Sequence, residues 1–364
     1  MAMGTRPAEV VRDGASESPV RTGAVDAQLG DYFDRAEAQA AAISPEYIRL
    51  WRGLRASTAG GKRLRPALVL AAYRGFGGTD DAAAAARIGA AFELLHTALV
   101  IHDDVIDRDF RRRGVPNIAG VYRDSAQDQG LAAPAAEHRG QSAAIIAGDL
   151  ALSGAFRLVA AAELPAPLRL RLLELLDEAV FASAGGELLD IEFPTMSPPP
   201  ALRDVLQMSL LKTAVYSFEL PLRAGALLAG AGEPAADLLG GVGRLMGTAY
   251  QLVDDLLGTF GDEQVTGKSA AGDLAEAKYT PLLAYASNCP EWPRIRALLA
   301  GAPGTREVAL IRRLLESCGA RAYVEDLAES YAARARDRLA AAGLPAGLRT
   351  DLVDLLEQAV RRSR

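Results

Sequence analysis

Apolar residues recur three and four positions apart along most of the chain, the spacing that puts them on one face of a helix. No clear strand pair interrupts that pattern. From about residue 26, "VDAQLGDYFDRAEAQAAA" predicts a first helix. Ser44 followed by Pro45 reads as an N-cap and a first-turn proline ahead of "EYIRLWRGLRAST". A glycine-bearing turn, "AGGKRLRP", then leads to a helix begun by Pro66. Almost nothing stops a helix from about 80 to 107, longer than the globular average. Residues 111 to 140 read as looser structure, and helix resumes around "QSAAIIAGDLALSGAFRLVAAA". Further helices follow in "APLRLRLLELLDEAVFASAGGELLDIEF", after the prolines of "SPPP", and over 233 to 257. The loop "GTFGDEQVTGKSAAGDLAEAKYT" separates these from the C-terminal helices. The prediction is one all-α domain, a large helical bundle over residues 26–364, preceded by a disordered tail at 1–25.

Composition sharpens this picture in a few places. Half of the 364 residues are apolar, enough for a substantial core. A net charge of −6 argues against a general nucleic-acid binder, so local basic clusters need a local explanation. Cys289 and Cys318 lie in separate parts of the chain and by themselves make neither a disulfide framework nor a metal knuckle; a reducing cytoplasm is the plain expectation. No uninterrupted apolar stretch reaches the length of a membrane span, and the N-terminus has no signal-like apolar segment.

The charged positions carry the chemistry. "LVIHDDVID" and "YQLVDDLLG" each place an Asp-Asp pair at the end of an apolar helical run. On a helix, Asp103 and Asp107 share a face about 6 Å apart along the axis, with Asp104 adjacent. Clustered carboxylates repel unless a cation sits among them. A donor set of oxygen without histidine or cysteine suits Mg²⁺, which also binds substrate phosphates. Asp254 and Asp255 repeat the arrangement. Anionic substrates also need cations, supplied by Lys62, Arg63 and Arg65, by Arg111, Arg112 and Arg113, and by Lys212, Lys268 and Lys278. Neither "GGKRLRP" nor "VTGKSAAG" has the spacing of a P-loop, which disfavours ordinary NTP hydrolysis.

From about residue 40 to the end, the chain resembles the trans-isoprenyl diphosphate synthases, or polyprenyl synthetases. The motifs stand in the family's order: "GGKRLRP", "ELLHTALVIHDDVIDRDFRRRG", "GDLAL", "GGELLD", "LLKTA", "YQLVDDLLGTFGD", "TGKSAAGDL" and "AKYTP". The resemblance implies a homodimeric helical bundle whose two acidic motifs face across a central cavity. It implies that Asp103, Asp104, Asp107, Asp254 and Asp255 hold Mg²⁺, three ions per site with bound allylic diphosphate. Arg112 then lies next to the allylic diphosphate, while Lys62, Arg65, His96 and Arg113 hold isopentenyl diphosphate. Lys212, Thr213 and Gln251 surround the reacting end of the allylic substrate, and Lys268 and Lys278 add diphosphate contacts. His102 orients the helix end. Leu95, Ala98 and Leu99 are the chain-length positions, and a small Ala98 argues against stopping at ten or fifteen carbons. The expected product is a C20 diphosphate; a longer polyprenyl chain, a terpene cyclase and a non-catalytic partner subunit are the alternatives.

Two positions depart from the family. Gly258 replaces the last aspartate of the second motif, and Asp262 lies roughly 80° further around an ideal helix from Asp254. Glu187 stands where glutamine is frequent.

Overall fold

The computed structural model describes residues 22–79, 83–112, 114–261, 274, 278–301 and 303–360. Helix α1 (Gly23–Ala41) begins three residues before the expected start. Helix α2 (Pro45–Thr58) is capped as predicted, the Tyr47 amide donating to Ser44 Oγ at 3.1 Å with Pro45 in the first turn. Helix α3 (Leu64–Gly75) starts two residues before Pro66, and α4 is Ala83–Ile106.

The region read as looser structure is more ordered than expected. Two-residue strands β1 (Arg111–Arg112) and β2 (Val115–Pro116) pair antiparallel. Asn117 then caps α5 (Ile118–Asp128), its side chain accepting from the Gly120 amide. Helix α6 (Ala133–Ala160) starts with Pro134 in its first turn, well before the predicted resumption near 141.

Helix α7 (Ala166–Glu192) leads through a short 3₁₀ turn to α8 (Leu202–Ser209). A π-helical segment, Leu210–Glu219, continues directly into α9 (Leu220–Leu228). Helix α10 spans Glu233–Phe260. The C-terminal helices are α11 (Pro281–Ala286), α12 (Trp292–Leu299), α13 (Thr305–Ser317), α14 (Ala320–Ala341) and α15 (Ala346–Val360).

Small residues set the packing. The α6 face carrying Ala144, Ala147, Ala151 and Ala155 is fully buried and lies against α4. A side chain at Gly148 would strike the His102 ring, and one at Gly154 would strike Tyr32 and Leu94. Close approach of this kind brings dispersion contacts that longer side chains would hold apart. Helix α10 links two apolar clusters. Its Leu239, Val242 and Met246 belong to the main core, whereas Leu252, Val253 and Leu256 join a smaller core with α11, α13 and α14. Asp254 and Asp255 therefore sit in the half of α10 that serves the smaller core.

Helices α4 and α6 are long and apolar enough, by length and composition, to cross a membrane, although neither contains the uninterrupted apolar run sought in the sequence. In this fold 72% of the apolar window of α4 and 44% of that of α6 are buried against other helices.

Candidate active site

The C-terminal end of α4, the last turns of α7 and the π-helical segment bring the first acidic motif to a lysine. Lys212 Nζ lies 2.7 Å from Asp190 Oδ2, 2.9 Å from Glu187 Oε2 and 3.1 Å from Asp103 Oδ1. Gly186 makes this meeting feasible. A Cβ there would lie 2.3 Å from the Lys212 amide nitrogen, so only glycine lets α7 cross the π segment so closely. Within the segment, hydrogen bonding to the fifth residue puts positions five apart on one face. Lys212 and Ser217 are related in this way, and in an α-helix they would diverge by about 140°.

Burial alone would push the Asp103 carboxyl up, but Lys212, Lys278 and Arg112 outweigh it and hold that group below the usual carboxylate range. Asp104 goes the other way. Its burial raises it despite the Arg112 guanidinium and the Asn117 amide that both donate to it. Burial would lower Lys212, but Asp103, Asp190 and Glu187 together hold it firmly protonated. Burial raises Glu187, with Lys212 opposing. Lys278, just before α11, donates to Asp107 Oδ2 at 2.6 Å and so ties the smaller core to the first motif.

The basic positions separate into two kinds. Arg65 Nη2 donates to Ser217 Oγ at 2.7 Å and to Tyr216 Oη at 3.2 Å, with its guanidinium over the Tyr216 ring. His96 Nδ1 is 3.1 Å from the same hydroxyl. The buried Arg65 Nε has no partner among the described residues, an orphaned donor that suits an anion. Lys62 is exposed on a turn formed by Gly60 and Gly61, both at positive φ. Arg63 is structural: in a left-handed conformation, it bonds Asp26, Glu93 and the Thr58 carbonyl. Arg111 is exposed and donates to the Gly114 carbonyl. Arg113, Lys268 and Asp262 lie outside the described residues.

In the second motif Asp254 is half-buried, while Asp255 is buried and accepts from the Gln251 amide at 2.8 Å. Helix α10 runs through Gly258 without a break. Thr213 is half-buried beside Lys212. Leu95 and Ala98 are fully buried. Ala98 lies between Leu94 and His102 on the stripe of α4 that meets Gly154 and Gly148 of α6, so it is turned toward α6. Leu99 is half-buried one turn before Asp103 and nearer to its face. His102 also turns to α6, its Nε2 3.5 Å from Asp149 Oδ1.

Sequence reasoning passed over Asn117, Asp190 and Tyr216 as site residues. The first two had a signal: asparagine at a helix start, and an acid three residues after Glu187 on one helix face. The Asp103, Asp104 and Asp107 cluster offers only hard oxygen donors, and buried Asp103 Oδ1 lacks a well-aligned hydrogen bond. Those features fit a hard divalent cation.

Comparisons with known proteins bear on the family and the fold. The polyprenyl synthetase family profile matches residues 52–316. Geranylfarnesyl diphosphate synthase of Aeropyrum pernix is 34% identical over 284 residues, 77% of this chain and 83% of that protein. Geranylgeranyl diphosphate synthase of Methanosarcina mazei is 32% identical over 281 residues, 77% of this chain and 80% of that protein. The crystal structure of geranylgeranyl pyrophosphate synthase from Corynebacterium glutamicum, complexed with isoprenyl diphosphate and magnesium, superposes with a TM-score of 0.87 at 29% identity. It covers 94% of this chain and 98% of that one. With the helical bundle and the ordered motifs, these matches make the chain a member of the polyprenyl synthetase family, closely related to geranylgeranyl diphosphate synthases.

Proposed function

We propose that this prenyltransferase condenses isopentenyl diphosphate with C5, C10 and C15 allylic diphosphates and releases geranylgeranyl diphosphate, a C20 product. Prenyl transfer is the activity of its family. The observation that carries the reading is the convergence of Asp103, Glu187 and Asp190 on Lys212, beside the Lys278–Asp107 and Arg112–Asp104 pairs.

Asp103, Asp104, Asp107, Asp254 and Asp255 would hold magnesium, with three ions per site as the proposed number. When bound, that metal supplies positive charge that stabilises the departing pyrophosphate. Arg112 and Lys278, already against the first-motif carboxylates, are placed to take over diphosphate oxygens. Lys62, Arg65 and His96 receive isopentenyl diphosphate, Arg65 through its orphaned Nε. Arg113 and Lys268 are assigned to the diphosphates from the motif alone. Three carboxylates around one ammonium leave the surroundings of Lys212 net negative, which favours an allylic cation. Thr213 and Gln251 complete that environment. Released pyrophosphate accepts the proton lost after carbon–carbon bond formation, so no protein nucleophile is needed.

The test supplies purified protein with Mg²⁺, isopentenyl diphosphate and each allylic primer separately. A dominant C20 diphosphate supports the reading, and longer products place the chain-length limit beyond Leu95, Ala98 and Leu99. No elongation by folded protein would favour the partner-subunit alternative.

Product length has its own expected result. Leu99→Phe narrows the space below Asp103 and shortens the product. Ala98→Phe must first displace α6, an overpacking cost of about 1–3 kcal/mol. Product mass and melting temperature, measured on both variants, separate the two effects. Unchanged product from Leu99→Phe would remove that side chain from the chain-length positions.

We assign a homodimer to the exposed apolar stripe of α7. Leu170, Phe181, Leu188 and Ile191 lie on one side of that helix, Phe181 being 83% exposed, and Ile145 and Ile146 of α6 are also uncovered. Phe181→Glu is expected to yield monomer by sedimentation, whereas a variant that sediments as wild type places the interface elsewhere. The two unbridged cysteines fit a reducing compartment, and cytoplasmic placement belongs to the same reading.

A further inference from the structure

Cys289, Glu291 and Cys318 are brought together by three helix ends. Cys289 follows α11, Glu291 is the N-cap residue of α12, and Cys318 is the C-cap residue of α13. The sequence separates the cysteines by 29 positions, and the fold closes that distance. The two sulfurs and a Glu291 carboxylate oxygen all lie within 4.8 Å of one another, each residue half-buried. Ligands of a tetrahedral zinc ion with Zn–S bonds near 2.3 Å stand about 3.8 Å apart, so only slight closure is required.

A second observation points to a ligand. Glu291 Oε2 is buried and has no hydrogen-bond partner among the described residues. A buried carboxylate oxygen left without donor or cation is costly, and an apolar thiol–thiol contact does not explain it. The thiols make long contacts to carbonyls. Cys289 Sγ lies 3.7 Å from Tyr285 O and 3.8 Å from Cys318 O, and Cys318 Sγ lies 3.5 Å from Leu315 O.

We propose that Cys289, Cys318 and Glu291 form a binding site for a thiophilic divalent ion of the zinc type, distinct from the acidic motifs. Two sulfurs and one carboxylate match zinc preferences, whereas Mg²⁺ selects oxygen donors alone. Binding deprotonates both thiols and releases the protons to solvent. Three protein ligands leave a fourth position for water. The ion ties the end of α13 to the turn after α11, the helix that Lys278 precedes.

The test uses full-length protein, reduced and stripped of metal, titrated with Co²⁺ and followed by absorption. Cobalt on carboxylates alone gives no thiolate-to-metal charge-transfer band, so the acidic motifs stay silent in this readout. The expected result is such a band, saturating at one equivalent and displaced by Zn²⁺. It disappears in Cys289→Ser and Cys318→Ser. In Glu291→Gln, cobalt affinity falls by more than the roughly tenfold cost of losing an outer-shell partner. Zn²⁺ raises the melting temperature of wild type but not of Cys289→Ser when the acidic motifs are saturated with Mg²⁺. Absence of the band in reduced wild type overturns the proposal, as does its persistence in Cys289→Ser. Unchanged affinity in Glu291→Gln removes Glu291 from the site and overturns the three-ligand assignment.

Discussion

Asp103→Asn is expected to lower turnover on the order of 10³-fold while the bundle stays folded, because the group removed acts on charge that develops in the transition state. Lys212 keeps Glu187 and Asp190 in this variant, so no buried cation is left alone. The Asp104–Arg112 pair and the Asp107–Lys278 pair are untouched. The loss should appear in turnover measured at saturating substrate and Mg²⁺, with helical circular dichroism unchanged. Turnover within a few-fold of wild type would show that Asp103 takes no part in holding metal.

Lys212→Met should have a comparable effect on activity and a much larger one on stability. Removing the ammonium leaves Asp103, Glu187 and Asp190 crowded together, each largely buried. Breaking a buried charge group from one side costs about 3–5 kcal/mol. The sign of the pH dependence follows from Glu187. Burial raises its carboxyl in the folded protein, so the folded state holds that proton more tightly than the unfolded chain. Stability then falls as pH rises from the ordinary carboxylate range through the raised folded value. Without Lys212 the shift grows, so denaturant unfolding should find the variant weakest at neutral pH and partly recovered near about pH 5. Equal loss at both pH values would mean that Lys212 contributes through packing rather than charge. Glu187→Gln in the Lys212→Met background should restore part of the loss at neutral pH.

Long helices with regular apolar spacing were the legible part of the fold. Ser44 and Pro45 marked the start of α2, and α10 runs only three residues past its expected end. The hairpin at Arg111–Pro116 escaped notice because two-residue strands have no period to detect. Pro134 in the first turn is the one local signal for the early start of α6, and a proline is equally at home in a loop.

For the site, the acidic pairs and the lysines stood out as charges at helix ends. Arg63 and Arg65 were indistinguishable by residue type; a left-handed backbone at Arg63 turns one toward Glu93 and leaves the other toward Tyr216. The Lys212 cluster depends on two facts of close geometry, the bare crossing at Gly186 and the π-helical hydrogen bonding. Neither has a reliable signature in composition. The Cys289–Cys318 approach likewise depends on how α13 folds back, which local sequence does not encode.

The wide turn of residues 210–219 implies an evolutionary asymmetry. Lys212 reaches Asp103, Glu187 and Asp190, while Tyr216 and Ser217 both reach Arg65, all from one segment. Exchanging a side chain at one of these positions loses the partners of that position alone. Deleting a residue between Lys212 and Tyr216 would let the segment relax toward an ordinary helix and swing the two halves about 100° apart. Every downstream contact would then fall out of step with the lysine. Lineages descending from this sequence should therefore tolerate changes of letter in this segment, Lys212 apart, far more readily than a change of length.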